Sequence, residues 1–174
     1  VPVLHSFYQY GLVYMPHGEN VILVLDEAGN VRRVLFKDIA EEVAVLDPDT
    51  PLPPRAERIH AEVAEELRVL SVFTYVFDCF VRFLAAVLDG AGTVGESLFW
   101  AAVGACAREY QQVNPHLADR FAQFDLFVER FLLCCLNRLQ LRDNRQLVDR
   151  DVPASGIQLA GTLENPVAKH RYRA

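Results

Sequence analysis

The run Asp47-Pro48-Asp49-Thr50-Pro51-Leu52-Pro53-Pro54 constrains this chain most. Proline fixes φ and removes a backbone donor, so neither a helix nor a central strand passes through four prolines in seven residues. The run separates a mixed front from a helical remainder. It predicts a β-hairpin segment over residues 1–46, a rigid linker over 47–54, a helical core over 55–142 and an irregular end over 143–174.

Ahead of the linker, His5 to Tyr14 reads as the end of a helix or as an extended lead-in, broken at Pro16 and Gly18. Val21 to Asp26 (VILVLD) and Val31 to Phe36 (VRRVLF) flank Glu27-Ala28-Gly29-Asn30, the pattern of a β-hairpin. The first of these runs is apolar almost without interruption, which predicts a strand buried on both faces. Behind the linker, Ile59, Val63, Leu67 and Leu70 predict a one-sided helix over Arg55 to Leu70. Val72 to Leu88, apolar nearly all round, predicts a helix central in the core. Thr93 with Glu96 predicts a capping box for a helix through Val113. A last helix is expected over Phe124 to Leu141, with Phe127, Phe131, Leu132, Cys135 and Leu139 on one side. The fold class expected is α+β, mainly α-helical, with an N-terminal β-hairpin carrying a nucleotide and metal loop.

Charge and cysteines narrow the function classes. With 17 Lys+Arg against 23 Asp+Glu the net charge is -6, unlike the basic face of a general nucleic-acid binder. At 52% hydrophobic the chain is not a disordered one. The four cysteines lie in apolar stretches rather than in loops, which suggests a reduced, cytoplasmic protein. Val69 to Leu88 is the most membrane-like stretch, but Asp78 and Arg82 in its middle favour a packed helix over a spanning one. The start at Val1, with no initiator Met and no signal-peptide pattern, fits a piece of a longer protein.

Chemistry concentrates in Met15 to Val43, MPHGENVILVLDEAGNVRRVLFKDIAEEV. His17, Glu19 and Asn20 feed the first strand, while Lys37 and Asp38 follow the second. A hairpin returns the end of its second strand beside the start of its first, so these residues are expected to be neighbours. The amide oxygen of Asn20 and the carboxylate of Asp38 are hard ligands of the kind Mg²⁺ takes while keeping phosphates and waters. His17 offers a donor to an anionic oxygen, and Lys37 a compact positive charge. The same residues read equally as turn and cap chemistry, with Asp38 an N-cap for IAEEV and Glu41 three residues on.

The run HGEN, an apolar strand, a turn, a second strand and then KDI resembles the nucleotide-binding core of the siderophore synthetases that work independently of nonribosomal peptide synthetases. This is the aerobactin-synthetase-like family, in its alcaligin and desferrioxamine synthetase branch. Gln158 to Val167, QLAGTLENPV, is similar to that family's closing segment. The resemblance implies the C-terminal domain of a larger ligase that uses ATP and Mg²⁺ to adenylate a carboxylate, a citrate derivative or a succinyl-hydroxamate. An amine, hydroxylamine or alcohol then attacks. It implies catalytic roles for His17 and Lys37, nucleotide contacts for His17, Glu19, Asn20 and Asp38, and metal contacts for Asn20, Asp38, Glu41 and Glu42. It further implies that the rest of the enzyme supplies the missing cations, that the chain alone is a weak or inactive catalyst, and that a homodimer forms in some members.

Two other readings stand beside it. The region is also similar to ferric-siderophore reductases that hold an iron–sulfur cluster, with Cys134-Cys135 as the tempting pair. A cluster needs four ligands, however, and no cysteine follows Cys135. A non-catalytic helical interaction domain is the third, with the aromatic run Phe73, Tyr75, Phe77, Phe80 and Phe83 at an interface. His5, His60 and His116 read as surface or capping residues. The end Lys169-His170-Arg171-Tyr172-Arg173 reads as a solvated terminus, or as a basic tail folded back to an anionic substrate.

Overall fold

The computed structural model describes residues 1–14, 16, 20–37, 39, 43–134 and 159–172. They fall into two units, Val1–Ala61 with Ser71–Glu96, and Glu62–Leu70 with Ser97–Ala174.

The first unit opens on helix α1 (Pro2–Tyr10), whose proline sits in the first turn where no intrahelical donor is needed. It buries Phe7 and Tyr8. Gly11 ends it at φ 62, with its N–H donating to the Phe7 carbonyl at 2.9 Å. No other residue fits there, because a Cβ on Gly11 would stand 2.4 Å from the Asp47 Cβ. Strand β1 (Leu12–Tyr14) follows and pairs antiparallel with β4 (Val43–Val45), Leu12 opposite Val45 and Tyr14 opposite Val43. His5 to Tyr14 is thus a helix end followed by a strand. The proline-rich run is tied to this corner: the Leu46 N–H donates to the Gly11 carbonyl at 2.8 Å and the Thr50 hydroxyl to the Tyr10 carbonyl at 3.0 Å.

Strands β2 (Val21–Leu25) and β3 (Val31–Phe36) form the expected hairpin, from Val21 opposite Phe36 to Leu25 opposite Val31. Asp26 organises its turn. One carboxylate oxygen accepts the Ala28 and Asn30 amides at 3.0 and 2.8 Å, and the other accepts Arg32 Nε at 3.0 Å. The Asn30 amide, with smaller help from Ala28 and Arg32, holds this carboxyl below the usual carboxylate range. The expected burial of β2 on both faces is not met within this chain. Ile22, Leu23 and Leu25 are 46%, 54% and 54% exposed.

The helix expected over Arg55 to Leu70 is also corrected. A 3₁₀ turn covers Glu57–Ile59, His60 bridges Val45, and the Ala61 N–H donates to the Val45 carbonyl at 3.0 Å. Backbone pairing with β4 therefore takes the groups a helix would need, and α2 spans only Glu65–Arg68. From Val72 to Val81 the chain winds as a π-helix, running on into α3 (Arg82–Gly90). Val72, Phe73, Thr74, Phe77 and Asp78 are buried, a repeat of four to five residues that suits the wider turn. This stretch is one-sided rather than central in the core, since Phe83 and Val87 are 59% and 66% exposed. Its charged residues form an ion pair, Arg82 lying 2.8 Å from the buried Asp78, one helical turn away. Glu65–Gly90 is long and apolar enough to cross a membrane by length and composition, a test that core helices also pass.

In the second unit α4 (Glu96–Val113) buries Trp100, Gly104, Ala107 and Tyr110, spaced for a single helical face. The α4 helix is not capped by Thr93, whose N–H is used in the preceding turn on the Leu88 carbonyl. The Glu96 amide donates instead to Asp89 Oδ1 at 3.1 Å. After α5 (Ala118–Gln123), the helix expected from Phe124 gives way to strand β5 (Arg130–Cys134). It pairs antiparallel with β6 (Leu159–Glu164), Arg130 opposite Glu164 and Cys134 opposite Leu159. Phe131 is buried and Leu132 exposed, the alternation of a strand. Cys135 and Leu139 lie outside the described residues. Described helix outweighs strand, so the α+β, mainly helical class holds.

Candidate functional site

The hairpin register decides which candidate residues meet. Val21 faces Phe36, so the residue before β2 and the residue after β3 are placed side by side. The Lys37 N–H donates to the Asn20 backbone carbonyl at 3.1 Å. Asn20 is buried at 4% exposure, whereas Lys37 is exposed. Tyr14, at the end of β1, stacks on Phe36 with ring centroids 5.3 Å apart and planes 6° from parallel, which fixes the mouth of the hairpin against the first unit. The backbone pairing thus brings Asn20, which is buried, and Lys37, which is exposed, to the same end of the hairpin.

His17, Glu19, Asp38, Glu41 and Glu42 lie outside the described residues. Among the described residues no three His, Cys, Asp or Glu side chains gather to hold a metal ion. Cys134, one half of the cysteine pair weighed for a cluster, is in β5 rather than on a helix.

Sequence reasoning missed what the second unit does with its C-terminal segment. Asn165, buried at 5% exposure, donates from Nδ2 to the Leu126 and Val128 carbonyls at 2.8 and 2.7 Å. Its Oδ1 accepts the Val167 N–H at 3.2 Å. Residues 168–171 are docked rather than solvated. Arg171 pairs with Asp125 and lies over the Phe127 ring, and Arg108 donates to the His170 carbonyl. A Cβ on Gly104 would come within 2.7 Å of the His170 Cβ, so the segment sits against α4 only because that position is glycine. Burial, and after it the charges of Lys169 and Arg108, push the His170 imidazole below its ordinary 6.5. Beside this segment is an open cleft of about 820 Å³, lined by Asp125, Phe127, Glu129, Lys169, Arg171 and Tyr172 among others. Its charges are balanced, with Arg171 already spent on Asp125. The signal for the docking was the asparagine of ENPV, an amide with donors and an acceptor beside a proline.

Comparison with known proteins places the chain. A family model described as "Ferric iron reductase FhuF-like transporter" matches residues 1–149. The chain belongs to this FhuF-like family. Its relatives are siderophore synthetases, and it corresponds to their FhuF-like C-terminal domain. It is 46% identical over 170 residues to putrebactin synthase of Shewanella sp. (strain MR-4), a match covering 98% of this chain and 27% of that protein. It is 29% identical to the rhizobactin siderophore biosynthesis protein RhbF of Rhizobium meliloti (strain 1021), over 99% of this chain and 29% of the relative. Aerobactin synthase of Escherichia coli is 27% identical over 81% of this chain and 25% of its own length. The FhuF-like chain therefore spans between 25% and 29% of the length of these relatives.

Solved structures agree on the fold. Aerobactin synthetase IucC of Klebsiella pneumoniae matches with a TM-score of 0.74, 24% identity and coverage of 99% of this chain and 30% of its own. Petrobactin biosynthesis protein AsbB of Bacillus anthracis matches with a TM-score of 0.78, 24% identity and coverage of 98% and 29%. The relatives do not favour the iron–sulfur reductase reading or the non-catalytic helical module.

Proposed function

We propose that this FhuF-like chain is the C-terminal part of a siderophore-building ligase, in which ATP activates a carboxylate as its adenylate and an amine, hydroxylamine or alcohol displaces AMP. The observation that carries the reading is the pairing of Asn20 with Lys37 at the mouth of the hairpin, joined by the 3.1 Å bond between their backbones. A carboxylate is a poor electrophile until its oxygen becomes a good leaving group, and adenylation makes it one. Carboxylate donors are a citrate derivative or a succinyl-hydroxamate, and the site of action is cytoplasmic.

The residue roles are part of the proposal. Asn20 and Asp38 hold Mg²⁺ and phosphate oxygen, with Glu41 or Glu42 as a further ligand. Hard oxygen donors of this kind fit Mg²⁺, which when bound offsets phosphate charge. His17 donates to the carboxylate or the α-phosphate, Lys37 meets phosphate charge, and Glu19 contacts the nucleotide. The remaining cations come from the larger part of the enzyme, because the chain itself carries a net charge of -6.

The test uses a full-length chimera in which these 174 residues replace the matching stretch of putrebactin synthase. With a succinyl-hydroxamate or citrate-type carboxylate and an amine, the reading expects AMP and pyrophosphate as products. ADP and inorganic phosphate would mean acyl-phosphate chemistry and would overturn it.

A further inference from the structure

The β2–β3 ribbon has a composition that the chain by itself does not explain. β2 is Val-Ile-Leu-Val-Leu with no charged residue, a pattern of strands covered on both faces. Opposed residues of an antiparallel pair share a face, so Ile22 and Leu35 lie on one side and Leu23, Leu25 and Val31 on the other. Both sides are open: Ile22 and Leu35 are 46% and 47% exposed, and Leu23, Leu25 and Val31 are each 54% exposed. Ile39, just beyond β3, is 50% exposed.

The ribbon is a two-stranded sheet among the described residues, and its packing contact at the base is the Phe36–Tyr14 stack. An isolated two-stranded ribbon is marginal in water, and an uncharged apolar edge invites pairing. Exposed apolar surface on both faces of one element marks a binding surface.

We infer that the β2–β3 ribbon is the docking element for the larger part of the polypeptide that the synthetase relatives carry outside the stretch matched here, and that this part covers the ribbon on both faces. The occupant is argued from length. Putrebactin synthase and RhbF match nearly all of this chain yet only 27% and 29% of themselves. IucC carries the same fold as 30% of a longer chain. A region joined covalently is present at high effective concentration, so β2 needs no charged residue of its own to stay soluble, and the charges of the ribbon strands, Arg32 and Arg33, lie on β3. The inference rests on family membership and on exposure, and stands whether or not ATP is the co-substrate.

Hydrogen–deuterium exchange over residues 21–36 tests it, comparing the 174-residue chain with the full-length chimera. The inference expects amide exchange in the ribbon to slow by about tenfold or more in the chimera. Leu23→Lys with Leu35→Lys should restore fast exchange there without lowering the melting temperature of the chain alone, since both side chains are exposed in it. Val87→Lys, on an exposed part of α3, serves as the control and should leave the ribbon protected. Equal exchange in chain and chimera would overturn the inference. So would protection already present in the chain alone and lost on dilution, which would assign the ribbon to a second copy. Neither readout depends on catalysis, so a failure here is distinct from a failure of the ligase reading.

Discussion

Asn165 shows how one side chain ties an irregular segment to its unit. Its amide satisfies two backbone carbonyls and its oxygen caps the Val167 amide, all with little access to water. Asn165→Ala leaves those carbonyls unpaired and should destabilise the chain by about 2–3 kcal/mol, read from urea unfolding. Gly104→Ala tests the neighbouring contact, where a new methyl group meets the His170 side chain and should cost about 1–3 kcal/mol. His170 adds a pH dependence of known sign. Its folded imidazole titrates below 6.5, so its contribution is fully present above that pH and is lost as pH falls through the lower folded value. The melting temperature should drop between pH 7.5 and pH 5.5, and His170→Gln should flatten that slope. A slope unchanged in the variant would show that another group is responsible.

At the scale of elements, the β2–β3 hairpin was legible because its signal is local: two apolar runs around Asp26, Gly29 and Asn30. Its register is also what puts Asn20 beside Lys37, so half of the candidate mouth could be read from spacing. The strand β5 was not legible. FLLCC fits a helix as well as a strand, and the choice is made by β6, which arrives from Leu159 onward. The same competition shortened the helix expected over Arg55 to Leu70, where pairing with Val45 takes the backbone of His60 and Ala61. Thr93 lost its capping role because Asp89, seven residues before Glu96, reached the helix start first. Within the Val72–Gly90 helical stretch, the charged pair is what allows Asp78 to be buried. Arg82→Ala leaves that carboxylate without its cation and should destabilise by about 1–3 kcal/mol, measured by thermal or chemical unfolding.

At the scale of the whole molecule, the proposed ligase reading assigns the further cations around ATP to the larger region that the synthetase relatives carry, since the net charge here is -6 and the chain covers 27% of putrebactin synthase. The chain alone should therefore give no measurable carboxylate-dependent consumption of ATP, while the chimera should. Carboxylate-dependent exchange of labelled pyrophosphate into ATP by the chimera, with Mg²⁺ present, isolates the adenylation step from everything after it. The hairpin-mouth assignment predicts robust exchange that falls by about a hundredfold in Asn20→Ala and in Asp38→Ala. Undiminished exchange in both variants would contradict it.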